Sequence, residues 1–355
     1  MHKKISDDEK KIKLSTLVYG ILALLMIFIG VSCVLAYGTR TEIGSKIAAK
    51  IAMVLPFPAA VVELNHVIYL NDVTANMASV EKFYKSQDFA KEGMRIDFTT
   101  EDGKKRLRIK EREILNKMVE DKIIQFLAQK KGISVTDDAA EKMLSQKLEE
   151  FGTADEVKSD LLNSYGWSMD DFKKHVVLPS IYSDELSKIV ISGELSDTSA
   201  EKSKINKAKN DLENGKDFAG VARTYSEGPS RGNGGELGWA KKDQVLPEIQ
   251  DAFFGKDVPA KNMIIESSIG FHIVDVENSK KENGETVLQL RQIFVAKKTF
   301  ADWLENQKKQ IRVFVPLSDF TWDSKSGMVD FRDKKMREFE TQERAKAKGD
   351  ASITF

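Results

Sequence analysis

Few residues in this sequence combine the types and the spacing that chemistry requires, and the most distinctive of them is His272. It lies in FHIVDV, residues 271–276, a run that reads as a strand and directly follows Gly270. The chain has four histidines and one cysteine, Cys33, so neither an internal disulfide nor a zinc site with two or more thiolates can form. The sequence therefore predicts chemistry without a metal or a cofactor.

A glycine-rich loop precedes this strand in the sequence. A short strand, residues 236–239, leads out of the loop, whose small residues are Gly228, Pro229, Gly232, Gly234 and Gly235. A phosphate-binding loop would need Gly-Lys-Ser/Thr at its end and an apolar strand before it, and this loop has neither. No basic residue is placed to hold a terminal phosphate. We therefore do not expect nucleotide binding.

Two motifs in this part of the chain resemble the parvulin-type peptidyl-prolyl cis/trans isomerases. FAGVARTYSEGPSRGNGGELGWAKKDQVLPEIQDAFF contains a Gly-Gly-x-Leu-Gly-aromatic turn, and IIESSIGFHIVDVEN contains a Gly-aromatic-His-Ile strand. The resemblance covers roughly residues 205–277 and implies catalysed rotation about X-Pro bonds, a step that loses amide resonance and is slow unaided. An apolar cleft with a few aimed donors stabilises the twisted amide, and no cofactor or metal is needed.

The resemblance assigns site residues one at a time. His272 matches the histidine that orients the hydrogen-bond network below the prolyl peptide, and a purely structural role as a core histidine is the alternative. Ser267 matches the small hydroxyl residue that completes the network. The apolar residues assigned to the substrate are Leu237, Val245, Ile249 and Phe271.

Two departures from the family pattern weaken the predicted site. The acidic or cysteine position falls on Gly228, so the polar group that faces the substrate carbonyl is absent unless Glu227 reaches it. The family's first strand, with an Arg-His-Ile-Leu pattern, should precede the helices, yet residues 191–203 contain no such strand. The predicted fold would therefore lack a central strand.

A candidate replacement for that strand lies downstream, at residues 287–295. VLQLRQIFV alternates like a strand and has Gln292 in place of the family's histidine. Asn283-Gly284 is a strong hairpin signal, so the segment would pair antiparallel with the His272 strand and set Gln292 beside His272. We therefore predict a permuted strand, in which an amide replaces a ring that can charge. An additional edge strand is the alternative.

The region from about residue 70 to residue 191 is predicted to be helical. Apolar residues recur at helical spacing over residues 114–127, and further helices begin near Thr136 and Ser168. The pattern YGWSMDDFKKHVVLP, preceded by AQKKGISVTDDAAEKML, resembles the N-terminal helical region of extracytoplasmic foldases of the SurA and PrsA kind. His175 within this pattern is interpreted as structural.

The N-terminal sequence predicts one membrane-spanning helix. TLVYGILALLMIFIGVSCVLAY, residues 16–37, is free of charge and long enough to cross a bilayer core. More lysines precede this segment than follow it, which predicts a single-pass protein of the cell membrane with a cytoplasmic N-terminus and its bulk outside. A cleaved signal peptide is the alternative, and lipidation of Cys33 is disfavoured by the small residues before it.

Composition and segment order complete the prediction. The 55 Lys and Arg residues balance 55 Asp and Glu residues, so we do not expect nucleic acid as a partner. We predict an α+β chain with a cytoplasmic tail and membrane helix (1–38), a SurA/PrsA-like helical chaperone domain (39–195), a parvulin-like domain of antiparallel sheet and helices (196–315) and a charged C-terminal extension (316–355). The mixed charges of FRDKKMREFETQERAKAKG in this extension indicate a solvated helix.

These predictions favour a membrane-anchored extracytoplasmic foldase. It would isomerise X-Pro bonds in unfolded or nascent exported polypeptides and would also bind those chains. The alternative function is a parvulin-like domain of weak or no turnover that acts only as a chaperone or peptide-binding module.

Overall fold

The chain folds into two compact units of helices and antiparallel sheets, an α+β arrangement. The first unit combines Met1–Ser183 with Gln307–Phe355, and the second unit is Asp184–Asn306. The structure is a computed structural model that describes residues 14–38, 42–86, 98–192, 197–254 and 262–346.

Most of the helices lie in the first unit. They are α1 (Leu14–Tyr37), α2 (Glu42–Ala52), α3 (Leu70–Ser86), α4 (Glu101–Lys130), α5 (Asp137–Phe151), α6 (Ala154–Asp160), α7 (Met169–Phe172), α8 (Leu178–Ile191), which continues into the second unit, and α13 (Lys334–Lys346). Single π-helical turns follow α6 and α7, at Leu161–Tyr165 and Lys173–Val177.

The strands of the first unit form a three-stranded sheet and a hairpin. The sheet has the order β2 (His66–Tyr69), β1 (Pro58–Val62), β7 (Val313–Phe314), and the hairpin pairs β8 (Phe320–Asp323) with β9 (Met328–Phe331). All of these pairings are antiparallel.

The expected membrane-spanning helix is a wrong prediction. Leu14–Tyr37 is helical, but within the described residues no helix reaches both the length and the apolar character that crossing a bilayer core requires. The end of α1 contacts the folded body instead, since the amide of Ser318 donates to the carbonyl oxygen of Ala36 at 2.9 Å. The membrane localisation that depended on this helix is corrected with it, and the predicted tail before residue 14 lies outside the described residues.

Local signals explain the helices of the first unit. The Thr136 hydroxyl caps α5, and Ser168 with Asp171 forms a capping box at α7. Their apolar faces meet in one buried cluster with α8, consisting of Ala140, Leu144, Val157, Leu161, Phe172, Val177 and Ile181.

The C-terminal helix α13 docks on α4 through ion pairs, although its sequence predicts a solvated helix. Arg112 Nη2 contacts Glu340 Oε1 at 2.7 Å, and Arg106 Nη2 contacts Glu343 Oε2 at 2.7 Å. Arg112 and Glu343 are about as buried as core residues, with 5% and 4% of their surface exposed. The charge pattern that indicated solvation therefore pairs with charges on α4.

The second unit is built on a four-stranded sheet of order β3-β6-β5-β4. Its strands are β3 (Glu236–Lys241), β4 (Ile264–Glu266), β5 (Gly270–Glu282) and β6 (Glu285–Ala296). Its helices are α9 (Ser199–Glu213), α10 (Phe218–Tyr225), α11 (Pro247–Phe253) and α12 (Phe300–Lys308), whose last two residues belong to the first unit. Because β6 lies between β3 and β5, the segment is an interior strand, and the alternative of an additional edge strand does not describe this sheet.

Each face of this sheet carries its own apolar cluster. One face packs against α9 and α10 and includes Phe271, Ile273, Ile293 and Val295. The other face packs against α11 and includes Val274, Leu288 and Leu290 with Ile249 of the helix. Side chains alternate between these faces along β5 and β6, as the period of two in a strand requires.

Candidate functional site

The register of β5 and β6 brings His272 and Gln292 onto one face of the sheet. His272 lies opposite Phe294, and Val274 lies opposite Gln292. Residues two apart on a strand share a face, so all four side chains project from the side that α11 partly covers. His272 and Gln292 are diagonal neighbours across the two strands, a separation that long side chains can bridge.

The imidazole of His272 is held at both ring nitrogens. The side-chain nitrogen of Gln292 lies 2.9 Å from Nδ1, and the hydroxyl oxygen of Ser267 lies 2.7 Å from Nε2. With the Gln292 amide donating to Nδ1, the ring proton sits on Nε2 and is donated to Ser267. The Ser267 hydroxyl in turn donates to the carbonyl oxygen of Gly270 at 3.2 Å.

The surroundings of His272 keep the ring neutral. No part of the residue is exposed, and burial lowers its pKa from 6.5 to about 4. The Glu248 carboxylate opposes this shift and the Lys297 ammonium adds to it. A neutral imidazole also fits the hydrogen bonds, because Nδ1 must accept from Gln292.

Phe294 packs against the imidazole of His272. Its ring stacks against that of His272 with centroids 4.8 Å apart and planes inclined by 29°. The backbone amide of Phe294 donates to the hydroxyl of Ser226, a residue that is 1% exposed. Sequence reasoning missed Phe294, although it lies two residues after Gln292 and therefore on the same face of the strand.

The Ser267 turn is fastened from two sides by residues that the sequence did not single out. Lys297 Nζ donates to the carbonyl oxygen of Ser267 at 2.8 Å and pairs with Glu266 at 2.8 Å. The amide of Ser268 donates to Glu248 Oε1 at 3.3 Å, which ties the turn to α11. No motif marks these contacts, because they join segments far apart in the sequence.

The apolar residues assigned to the substrate lie in different surroundings. Leu237 sits at the irregularity between Glu236 and Gly238 in β3 and is 42% exposed. Val245 is half-buried before α11, and Ile249 is 3% exposed within the cluster on the His272 face. Phe271 lies on the opposite face, against α9 and α10. The structure therefore brings Val245 and Ile249, but not Phe271, to the side of the sheet that bears His272.

The position expected to carry an acid is open but has no side chain. A Cβ on Gly228 would meet Phe294 at 3.6 Å, an ordinary contact. Glu227 does not replace the missing group in this structure. Its carboxylate oxygens contact Lys204 Nζ at 2.6 Å and accept from the amide of Ala296 at 2.8 Å.

The glycine-rich loop fixes the backbone of Gln292. Gly235 has φ +86°, and its carbonyl oxygen accepts from the amide of Gln292 at 2.8 Å. A Cβ on Gly235 would lie 2.6 Å from the carbonyl oxygen of Gln292, closer than real contacts. Glycine is required here by both its conformation and this close approach.

Comparison with known proteins finds a family match that covers most of the second unit. Residues 178–280 match the family model for the PPIC-type PPIASE domain. Chaperone SurA of Methylobacillus flagellatus is 34% identical over 137 residues, which are 37% of this chain and 31% of that protein. Foldase protein PrsA of a Geobacillus species is 28% identical over 187 residues, which are 48% of this chain and 64% of that protein.

These similarities confirm the predicted resemblance: the chain carries a parvulin-type domain and is similar to SurA and PrsA foldases. The matches span less than two thirds of the length of these curated relatives. The residues matched by the family model end before β6, which begins at Glu285.

Proposed function

We propose that the protein is a foldase whose second unit catalyses cis/trans isomerisation of X-Pro bonds and whose first unit binds unfolded polypeptides. The observation that carries the isomerase half is the buried imidazole of His272 bridging Gln292 and Ser267 on an otherwise apolar face. The match to the PPIC-type PPIASE domain supports the same half. The similarity to Chaperone SurA and Foldase protein PrsA supports the binding of unfolded chains.

The reaction needs no bond to be made or broken. Twisting the X-Pro amide removes its resonance, so the carbonyl loses polarity and the nitrogen gains a lone pair. An apolar surface favours that less polar state over the planar amide, which is better solvated by water. In our proposal Leu237 and Val245 contact the prolyl ring, and Ile249 packs beneath them in the cluster on this face.

In our proposal the hydrogen-bond network fixes the positions of polar groups and carries no net charge. Because His272 stays neutral and both ring nitrogens are engaged, the imidazole cannot act as a titrating base near neutral pH. Its role in the proposal is to hold the Ser267 turn and the Gln292 amide in fixed positions under the substrate. Preorganised dipoles of this kind stabilise a transition state without reorganising during the reaction.

The test compares variants of two glutamines on the same strand. Gln292→Leu removes the amide that contacts His272, and Gln289→Leu removes an amide that instead accepts from Asn278 at 2.7 Å. We expect the full chain to accelerate cis-to-trans conversion of a short X-Pro peptide and Gln292→Leu to lower kcat/KM at least about tenfold. Gln289→Leu should leave the rate unchanged. Equal rates for both variants and the wild type would reject the proposed network.

A second candidate function is favoured by the empty acid position. Gly228 offers no polar group, and Glu227 is held by Lys204 and the Ala296 amide. In this alternative the second unit binds prolyl segments without turnover. It predicts no acceleration of isomerisation by the wild type, together with saturable binding of the same X-Pro peptide that Gln292→Leu weakens.

A further inference from the structure

The first unit contains a cleft that the isomerase proposal does not use. Its volume is about 310 Å³, at the lower end of the range of about 300–1,000 Å³ that ligand sites occupy. One wall is a face of α3 with small side chains at Ala75, Ala78 and Ser79. The opposite wall is the segment from Tyr165 to His175. This cleft is therefore large enough for a few residues of an extended peptide.

The second wall is a row of rings. Tyr165 and Trp167 have centroids 5.5 Å apart, and Trp167 and His175 have centroids 5.6 Å apart, with inclinations of 31° and 32°. Phe83 stacks on Tyr165 at 5.1 Å and supports the end of the row. A polyproline II helix has three residues per turn and rises about 3.1 Å per residue, so one turn of about 9 Å fits along such a row.

Local interactions fix the row before any ligand arrives. Gly166 adopts φ +72°, the left-handed conformation that separates Tyr165 from Trp167. The capping box of Ser168 and Asp171 follows at once. Lys82 reaches across the cleft from α3 and donates to the carbonyl oxygen of Leu162. A preformed wall lowers the entropy cost of binding.

The lining of the cleft includes three donor side chains together with the acceptor oxygens of Asn76 and Asp171. Tyr165 and Trp167 carry an O–H and an N–H, and the Lys82 ammonium has more protons than the Leu162 carbonyl uses. One carboxylate oxygen of Asp171, Oδ2, accepts from both the amide and the hydroxyl of Ser168. Burial, with the nearby Lys174 charge, lowers the pKa of His175 and keeps that ring uncharged. A ligand that uses the three donors has carbonyl acceptors, and the row of rings favours flat apolar groups beside them.

We propose that this cleft binds a proline-rich segment of an unfolded client in the polyproline II conformation. Proline rings pack against the sides of Tyr165 and Trp167 that line the cleft, and carbonyl oxygens accept from its donors. Prolines have no N–H, and a polyproline II helix leaves its carbonyl groups free, so such a segment uses the donors without burying unpaired N–H groups. The proposal does not depend on isomerase activity in the second unit.

The test measures binding of a fluorescein-labelled proline-rich peptide to the full chain by fluorescence anisotropy. Ala78→Leu fills the cleft from the exposed face of α3, where leucine suits a helix, and Ala139→Leu is the control on an exposed face of α5. All proteins carry Leu237→Glu, which places a charge on the surface of the second unit that we propose contacts the prolyl ring. A second peptide has each proline replaced by alanine.

We expect Ala78→Leu to weaken binding of the proline-rich peptide at least about tenfold, equivalent to ~1.4 kcal/mol. Ala139→Leu should leave the affinity unchanged, and the alanine peptide should bind at least about tenfold more weakly than the proline-rich one. Unchanged affinity in Ala78→Leu would overturn the site. Equal affinity for both peptides would overturn the ligand class. Neither result bears on isomerisation, which is measured separately with Gln292→Leu and Gln289→Leu.

Discussion

Acidification should lower the free energy of unfolding of the second unit, because the buried ring of His272 becomes protonated more readily in the unfolded chain. Its pKa is about 4 in the folded protein and 6.5 when the ring is exposed. Below pH 6.5 the unfolded chain binds a proton at this ring that the folded protein does not bind, so the free energy of unfolding falls as pH falls. The stabilisation is complete above pH 6.5, declines between 6.5 and about 4, and is lost below that interval.

The size of this effect follows from the same two pKa values. At about 1.36 kcal/mol for each pKa unit, the interval from 6.5 to about 4 corresponds to ~3 kcal/mol. That is a large share of the stability of a domain, which is about 5–15 kcal/mol. Protonation would also turn the Nδ1 acceptor into a donor and place two donors face to face, since the Gln292 amide already donates there.

Hydrogen exchange of the β5 amides measures this effect in the full chain. Protection factors, corrected for the intrinsic pH dependence of exchange, give the free energy of opening at each pH. His272→Gln removes the titrating ring and leaves the carboxylates of the protein in place. The difference in the free energy of opening between the two proteins therefore reports on the histidine alone. We expect this difference to vary by about 3 kcal/mol between pH 7.5 and pH 4. A difference that stays constant across that range would refute the conclusion that the imidazole is uncharged and hydrogen-bonded at both ring nitrogens.

Three further outcomes test other parts of the chain. Gly235→Ala should destabilise the protein in urea by clearly more than the control Gly238→Ala. The new Cβ in Gly238→Ala meets nothing within 4 Å, so this variant should cost only about 1–2 kcal/mol for its left-handed φ. Equal losses would contradict the close approach of residue 235 to the carbonyl oxygen of Gln292. Arg112→Met removes a buried guanidinium that contacts Glu340 on α13 and donates to the carbonyl oxygen of Val329, while Arg344 still pairs with Glu340. This variant should cost about 1.5–3 kcal/mol in the same measurement, against about 0–1 kcal/mol for the exposed control Lys334→Met, and similar small losses would show that Arg112 does not hold α13. Gly228→Asp should fold normally and raise kcat/KM for an X-Pro peptide about tenfold, and an unchanged rate would show that the missing acid does not limit turnover.

The hairpin between β5 and β6 was readable from sequence because its determinants are local. Asn283 and Gly284 have φ of +50° and +83°, the conformation that Asn-Gly favours in two-residue turns. The turn sets the register, and alternation along each strand then places His272 and Gln292 on one face. The resemblance to parvulin-type isomerases rested on short motifs and was confirmed for the same reason.

Contacts between distant segments were beyond the reach of sequence patterns. The attachment of Glu227 to Lys204 and the clamp of Lys297 on the Ser267 turn depend on side-chain reach across the fold, which no spacing reveals. The charges of α13 were interpreted as solvated because their partners on α4 lie more than two hundred residues away. Uncharged residues at 16–37 predicted a membrane span that the structure does not support.

The position of β6 shows why a sheet can take its central strand from either end of a domain. A strand can pair between two other strands where both leave unpaired N–H and C=O groups along their facing edges. This condition depends on register rather than on chain order. Here β5 offers one such edge and β3 the other, and β6 satisfies both. Because β6 follows β5 through a tight turn, the contact of His272 with Gln292 closes only a short loop, which costs little entropy. The central strand and the pair of His272 with Gln292 are thus formed by one local hairpin.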